Sequence, residues 1–377
     1  EAFEAVADAR AASHIGVHAE RAAALRQELH RRKEERTAPL EAAPGHAARI
    51  MTGAFIPMGV DAVIMREQTN EEAVTAEGTG VVTVLHAAKP GENIRRLGED
   101  VSRGEPVGAA GDVVTPGRLN LLAATGQVTV EVHRRPRVCI LASGDEIREL
   151  GQPFGPLDVL NSNAHAIAAA VRDAGAIAEL IGIAADTLGD HIACIERARG
   201  ADVLLTIGGV SVGTHDFVKP ALTAVGATLE LWKVAMRPGK PVAFGVWGRQ
   251  LVFGLPGNPV SSQVSFELFV KPALLRLQGR SACMPQTLRA RLVGSGMGKK
   301  AGFRMFARAS AAVADDGYLE VCLDEKQGSG QVSGLARANA LCVLAEEQTT
   351  IHPGDVVEVM LLDESWRLAA PYPSTRA

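Results

Sequence analysis

Residues 137–146 read RVCILASGDE, and residues 202–216 read DVLLTIGGVSVGTHD. Each opens as a short, unbroken apolar run and closes in a glycine turn with an acid behind it. A run of that kind marks a strand buried on both faces, as in a parallel sheet covered by helices. The neighbouring sequence repeats the texture. A helical spacing over 163–174 leads to a strand over 178–184 and a helix over 188–199. Beyond the second quoted stretch, a helix begins near 216, and strands follow near 229–234, 241–246 and 250–253. A long helix then starts at Pro259 and runs to the region of residue 278. Strands alternating with helices of this length predict a doubly wound α/β domain over 136–284.

The flanks differ. Residues 1–38 are rich in alanine and charge and predict a helical or disordered N-terminal segment. Over 39–104, short β-branched runs such as DAVIMREQ (61–68) and GVVTVLH (80–86) predict a β-rich domain. A linker or elongated segment is expected over 105–135. Over 285–377, GYLEVCL, ALCVLAEE and DVVEVMLL predict a C-terminal β domain, barrel-like in form. The expected fold is therefore multidomain α/β, with β-rich parts on either side of the central domain.

Composition narrows the function. The 377 residues hold 39 basic and 43 acidic side chains, a net charge of −4, which argues against a nucleic-acid platform. No apolar run reaches the length of a membrane span. The first residues, EAFEAVADAR, carry acids where a secretion signal has a positive region, so none is expected. The five cysteines, at 139, 194, 283, 322 and 342, form no CxxC pair. That spacing predicts reduced, buried thiols in a cytoplasmic protein.

In an open α/β sheet, ligands sit outside the carboxyl ends of the strands. The first strand ends in Ser143-Gly144-Asp145-Glu146, where the acids either face the crevice or cap a helix. The second ends in Gly208-Gly209-Val210-Ser211-Val212-Gly213, followed by His215 and Asp216. That loop has the N–H groups to bind an anion, or is an ordinary glycine turn; it matches neither a Walker loop nor GxGxxG. A third strand end, LPGNPVS (255–261), opens the long helix with Pro259 and places Ser261 near its start. Upstream, Lys233, Arg237 and Lys240 string three cations along a strand and turn, and Asp186 adds a further acid at the same edge. Acids, cations and glycine turns together predict a phosphate-bearing ligand with a divalent metal, Mg²⁺ in preference to zinc. The histidines form no HExxH motif, and no nucleophilic triad follows from residue order.

Seven stretches in this order resemble one family. They are IMTGAFIPMGVDAVIMREQT (50–69), GENIRRLGEDV (91–101), ASGDE (142–146), GGVSVGTHDFVK (208–219), WKVAMRPGKPVAFG (232–245), FGLPGNPVS (253–261) and QGSGQVSGLARANAL (327–341). The family resembled is that of the molybdopterin molybdenumtransferases, related to the E domain of gephyrin. The resemblance implies transfer of molybdenum from molybdate to adenylylated molybdopterin, with Mg²⁺-dependent release of AMP. It implies that Thr52, Asp100, Glu146, Asp186 and Asp216 hold the pterin nucleotide and metal, with Glu146, Asp186 and Asp216 as the catalytic acids and metal ligands. Ser143, Gly144, Gly208, Gly209, Ser211 and Gly213 would pave the substrate site. Lys233, Arg237, Lys240, Ser261, Arg308 and Ser329 would form its cationic and hydroxyl surface. A homodimer is implied as well.

Three departures accompany the resemblance. Residues 1–37 hold nothing like the family's segment reading approximately FDNSAMDGYA, which predicts either a non-native start or a site lacking one wall. Arg237 stands where lysine is common, and Ser143 replaces the usual threonine. The missing segment keeps open a non-catalytic, pterin-binding scaffold. A sister enzyme that adenylylates molybdopterin on a similar domain is disfavoured by the β-rich C-terminus.

Overall fold

The computed structural model describes residues 41–70, 80–209 and 217–363, with Leu231 and Trp232 in backbone only. The expectation for residues 1–38 lies outside the described residues. The chain divides into two compact units, residues 1–109 with 114–132 and residues 110–113 with 133–377.

In the first unit the described strands are two short pieces, β1 (Thr69–Asn70) and β2 (Thr83–Val84), paired antiparallel. The rest of the β-branched runs form turns tied by isolated backbone bonds, such as Val63 N–H to Glu92 O at 2.8 Å. Strand propensity becomes strand only where a partner backbone lies alongside. The stretch expected as a linker contains a helix, α1 (Pro116–Ala124). Thr115 caps it by accepting from Arg118 N–H, and Pro116 occupies the first turn, where no N–H is needed.

The second unit opens with β3 (Arg137–Ser143), the short pair β4 (Ile147–Arg148) and β5 (Val159–Leu160), and helix α2 (Ser162–Asp173). Next come β6 (Ile177–Ala184), α3 (Leu188–Glu196), β7 (Val203–Ile207) and α4 (Val218–Ala224). Four strands follow: β8 (Thr228–Lys233), β9 (Met236–Arg237), β10 (Pro241–Trp247) and β11 (Gln250–Leu255). They lead into a long helix built of α5 (Pro259–Ser265), a π-helical turn (Phe266–Val270) and α6 (Lys271–Leu277).

Six strands form one sheet in the order β6-β3-β7-β11-β10-β8. The first four run parallel; β10 lies antiparallel to both β11 and β8. The reversal follows from loop length. Trp247 and Gln250 pair across only Gly248 and Arg249, a hairpin connection too short for a crossover.

The burial of β3 explains its unbroken apolar run. Val138, Ile140 and Ala142 pack with α2 residues and with Phe266, Val270 and Leu274 on one face. Cys139 and Leu141 pack with Ile195, Val218 and Leu222 on the other. Each large apolar side chain so buried contributes roughly 1.5–3 kcal/mol.

The C-terminal part holds β12 (Thr287–Val293), β13 (Met297–Gly298), β14 (Arg304–Val313), β15 (Leu319–Leu323), α7 (Val332–Arg337), β16 (Ala340–Leu344), β17 (Thr350–Ile351) and β18 (Val356–Leu361). Strands β15, β12, β18, β16 and β14 hydrogen-bond in turn, and a β14–β15 pairing closes them into a five-stranded barrel. Strand β9 adds to β14 in parallel, so the α/β domain and the barrel share a ladder. An apolar cluster of Met236, Val260, Val264, Phe306, Leu341 and Met360 packs behind that ladder. Among the described residues, no helix is long and apolar enough to cross a membrane.

Candidate active site

The strand ends of the α/β domain surround a cavity of about 590 Å³. Ser143, Gly144, Glu146, Asp186, Gly208, Gly209 and Gly257 are among its lining residues. The position, at the carboxyl edge of the sheet, is where an open α/β fold binds its ligands.

Backbone bonds lace two of these strand ends together. Gly144 N–H donates to Ala184 O at 3.1 Å, and Asp186 N–H donates to the Asp145 carboxylate at 2.9 Å. In return Asp145 N–H reaches the Asp186 carboxylate at 3.4 Å. No helix starts at Asp145 or Glu146, because the chain turns directly into β4. The helix-cap alternative for these acids therefore falls, and Glu146 and Asp186 come to one rim. Glu146 folds back over Gly144, where an added Cβ would lie 2.5 Å from its Oε2.

The floor is backbone. A Cβ on Gly208 would stand 3.1 Å from Ser143 O, and one on Gly257 would stand 3.7 Å from Gly208 Cα. Gly209, at φ +62°, would place a Cβ 2.5 Å from Val218 Cγ2 and 3.3 Å from Ser143 Oγ. The ends of β3 and β7 thus approach too closely to leave easy room for side chains, while a Cβ at Gly257 would make only ordinary contact. The space left above them is a cradle for a ligand.

The opposite wall was not singled out from the sequence. It is the excursion carrying β4 and β5, with Asn161 and Asn163 at the start of α2. Asn163 donates its side-chain amide to Gly257 O, which ties this wall to the floor. Buried Asn161 donates to Glu149 Oε2 at 3.0 Å, and His165 meets Glu149 Oε1 at 2.6 Å. These bonds, His165 first, hold the Glu149 carboxyl below the usual carboxylate range. The sequence signals were the GQPFGP turn (151–156) and the polar NSN run (161–163), both easily read as plain loop.

The remaining candidates are distributed as follows. Lys233, Arg237 and Lys240 are exposed on the hairpin over 233–241 and pair with no carboxylate among the described residues. Lys233 sits opposite Pro241, a lining residue, whereas Arg237 pairs in register with Met305 of the barrel. Ser261 is buried and lies outside the cavity lining; its carbonyl would be 3.4 Å from a Cβ on Gly239. Ser329 comes to the start of the long helix, where its carbonyl accepts from Val260 N–H at 3.1 Å. Arg308 is buried in the barrel, its guanidinium turned to carbonyls of the 326–328 stretch. Thr52 and Asp100 are exposed in the first unit, where Asp100 helps line a cavity of about 560 Å³ with Arg95 and Arg96. Ser211, Gly213 and Asp216 lie outside the described residues.

Among the described residues no three His, Cys, Asp or Glu side chains gather into a metal site. The oxygen donors of Glu146 and Asp186 nevertheless suit Mg²⁺, which commonly binds through one or two carboxylates plus substrate phosphates and water.

A mostly parallel α/β sheet with this cradle, followed by a β-barrel, defines a ligand-binding protein of several domains. Comparison with known proteins specifies the class. The region 139–276 matches a family model described as a probable molybdopterin binding domain. Residues 5–126 match the MoeA N-terminal region (domain I and II), and 291–362 the MoeA C-terminal region (domain IV). A molybdopterin molybdenumtransferase of Haemophilus influenzae is 36% identical over 83% of this chain and 76% of its own length. One from Bacillus subtilis is 37% identical over 86% and 75%. A crystal structure of a molybdopterin biosynthesis MoeA protein from Pyrococcus horikoshii superposes with a TM-score of 0.70, at 28% identity over 87% of this chain and 79% of that one. The chain belongs to the molybdopterin molybdenumtransferase family, transferases of molybdenum cofactor biosynthesis.

Proposed function

We propose that this protein transfers molybdenum from molybdate to adenylylated molybdopterin, releasing AMP in a Mg²⁺-dependent step. The observation that carries the reading is the juxtaposition of two carboxylates, Glu146 and Asp186, with a glycine-floored cradle at the strand ends. Glycine turns at strand ends offer N–H groups to phosphate at close range. Glu146 and Asp186 would hold Mg²⁺, with Asp216 as a third acid. Bound there, the ion would offset phosphate charge and stabilise AMP as it leaves. The exposed Lys233 and Lys240, beside the cavity residue Pro241, would attract the molybdate dianion and the phosphates. Ser143 and Ser329 would complete the contacts to the substrate. Chemistry of this type relies on positioning and electrostatics and needs no dedicated nucleophile. The same reading includes a cytoplasmic location and a homodimer, and sedimentation of the full chain tests the dimer.

The deciding experiment incubates the protein with adenylylated molybdopterin, molybdate and Mg²⁺ and measures AMP and active cofactor. Both should form. Glu146→Gln and Asp186→Asn should each lower AMP release at least about a hundredfold while the far-UV spectrum stays unchanged, since each removes a carboxylate from the metal. Binding without AMP release in the unmodified protein would instead make it a pterin-binding scaffold.

A further inference from the structure

The cavity wall made by β4 and β5 rests on little backbone. Each strand has two residues, and the parallel pair is joined by Val159 N–H to Glu146 O at 2.7 Å and Asn161 N–H to Arg148 O at 2.8 Å. So short a ladder is marginal alone, and side chains supply the rest of the hold. Arg148 donates to Asp145 O at 2.7 Å and meets the Asp158 carboxylate at 3.0 Å, which gathers the turn before β4 to the residue before β5. Glu149 ties the wall to α2. One carboxylate oxygen meets His165 at 2.6 Å and accepts from Leu150 N–H at 2.8 Å, while the other accepts from Asn161 at 3.0 Å. Glu149 and His165 stand outside the cavity lining, whereas Asn161, Ser162 and Asn163 belong to it.

Asn161 occupies the N-cap position of α2, where asparagine ordinarily accepts from the first-turn N–H groups. Its side chain makes no such bond; the amide turns to Glu149 instead. The residue is buried, so without that carboxylate its amide would lose a partner that water cannot easily replace. His165 lies one helical turn further on, so a single carboxylate grips α2 at two points on one face. Between those points Asn163 donates to Gly257 O on the cavity floor. A shift of the first turn would carry that bond with it.

We propose that Glu149 is a positioning residue: from outside the cavity lining, its carboxylate sets the first turn of α2 so that Ser162 and Asn163 meet the ligand. The inference rests on the reading of the cavity as the site for adenylylated molybdopterin.

The test compares the full chain with Glu149→Ala and Glu149→Gln, well below the melting transition. Amide hydrogen exchange in ligand-free Glu149→Ala should speed up over 147–165 and stay unchanged in the barrel. Kd and KM for adenylylated molybdopterin should rise at least about tenfold, the scale of losing hydrogen bonds to a charged group, with kcat changed far less. Glu149→Gln keeps an oxygen for Asn161 and should fall between. The Mg²⁺ concentration giving half-maximal AMP release should be the same in all three proteins. A shifted Mg²⁺ requirement, or glutamine as damaging as alanine, would make Glu149 a direct contact and overturn the proposal. Faster exchange with unchanged Kd and KM would leave the residue purely structural, and weaker binding without faster exchange would take the wall out of the explanation; either result overturns it. If Glu149→Ala does not fold, His165→Ala removes one of the two grips and must show the same pattern in milder form, and unchanged exchange there counts against the proposal as decisively. The exchange arm needs no ligand. Failure of the unmodified protein to bind the nucleotide would therefore defeat the functional reading separately.

Discussion

At the scale of single residues, Gly209 shows how little room the site allows. It takes a positive φ and leaves no space between Val218 and Ser143 for a Cβ. Gly209→Ala should cost about 1–3 kcal/mol, the usual penalty of overpacking and of an unfavourable φ, read from the denaturant midpoint. It should also weaken pterin nucleotide binding, because relief of the clash moves the floor. This glycine was legible in the sequence as part of a strand-end turn. What it packs against was not, since Ser143 lies 66 residues away on another strand. Glu146 and Asp186 were similarly recognisable as acids at strand ends. Their shared rim depends on the reciprocal bonds through Asp145, which no local pattern announces.

Among the elements, β7 is anchored at its start by Asp202. Arg134 donates to that carboxylate through both terminal nitrogens, and Arg137 N–H adds a bond at 2.8 Å. The Arg134 hydrogen bonds, ahead of the other causes, hold the Asp202 carboxyl below its ordinary range, against the opposing effect of partial burial. The sign for stability follows. A depressed folded-state pKa contributes fully above the unfolded value, near 4, and the contribution fades as pH falls through the folded value. Asp202→Asn should therefore lose about 1–3 kcal/mol at pH 7, the range for hydrogen bonds to a charged group. The gap to the unmodified protein should narrow below pH 4, as followed by urea unfolding at several pH values. Periodicity located β7 and most of its neighbours within a few residues. It missed the antiparallel sense of β10 because that is set by a two-residue hairpin, not by the strand's own composition.

Over the whole molecule, the cysteines report how burial is partitioned. Cys139, Cys194 and Cys342 are buried, Cys283 is half-buried and Cys322 is exposed. Burial, with Glu179 adding its charge, pushes the Cys139 thiol up to about 11, and burial alone pushes Cys342 up to about 12. Because the thiolate is the reactive form, an aromatic disulfide reagent at pH 8 should titrate Cys322 and Cys283 quickly. Cys139, Cys194 and Cys342 should react only on unfolding. Rapid reaction of all five in the native protein would contradict the packing described for the sheet and the barrel. The expectation of buried thiols therefore holds for three positions and needs correction at Cys283 and Cys322, which stand outside both cores.

The sequence by itself determined the layering of the α/β domain, because burial on two faces writes a continuous apolar run and burial on one writes a periodic one. It also determined the placing of glycines and acids at strand ends, because turns demand particular residues locally. Only the tertiary structure decided that the barrel closes, that β9 joins it, and that Arg308 turns inward. Those outcomes depend on partners remote in the chain: β9 meets β14 across 68 residues, and Arg308 is neutralised and capped by carbonyls and by Asp324. A charged side chain is read as exposed until the groups that satisfy it are brought to it, and that is done by the fold.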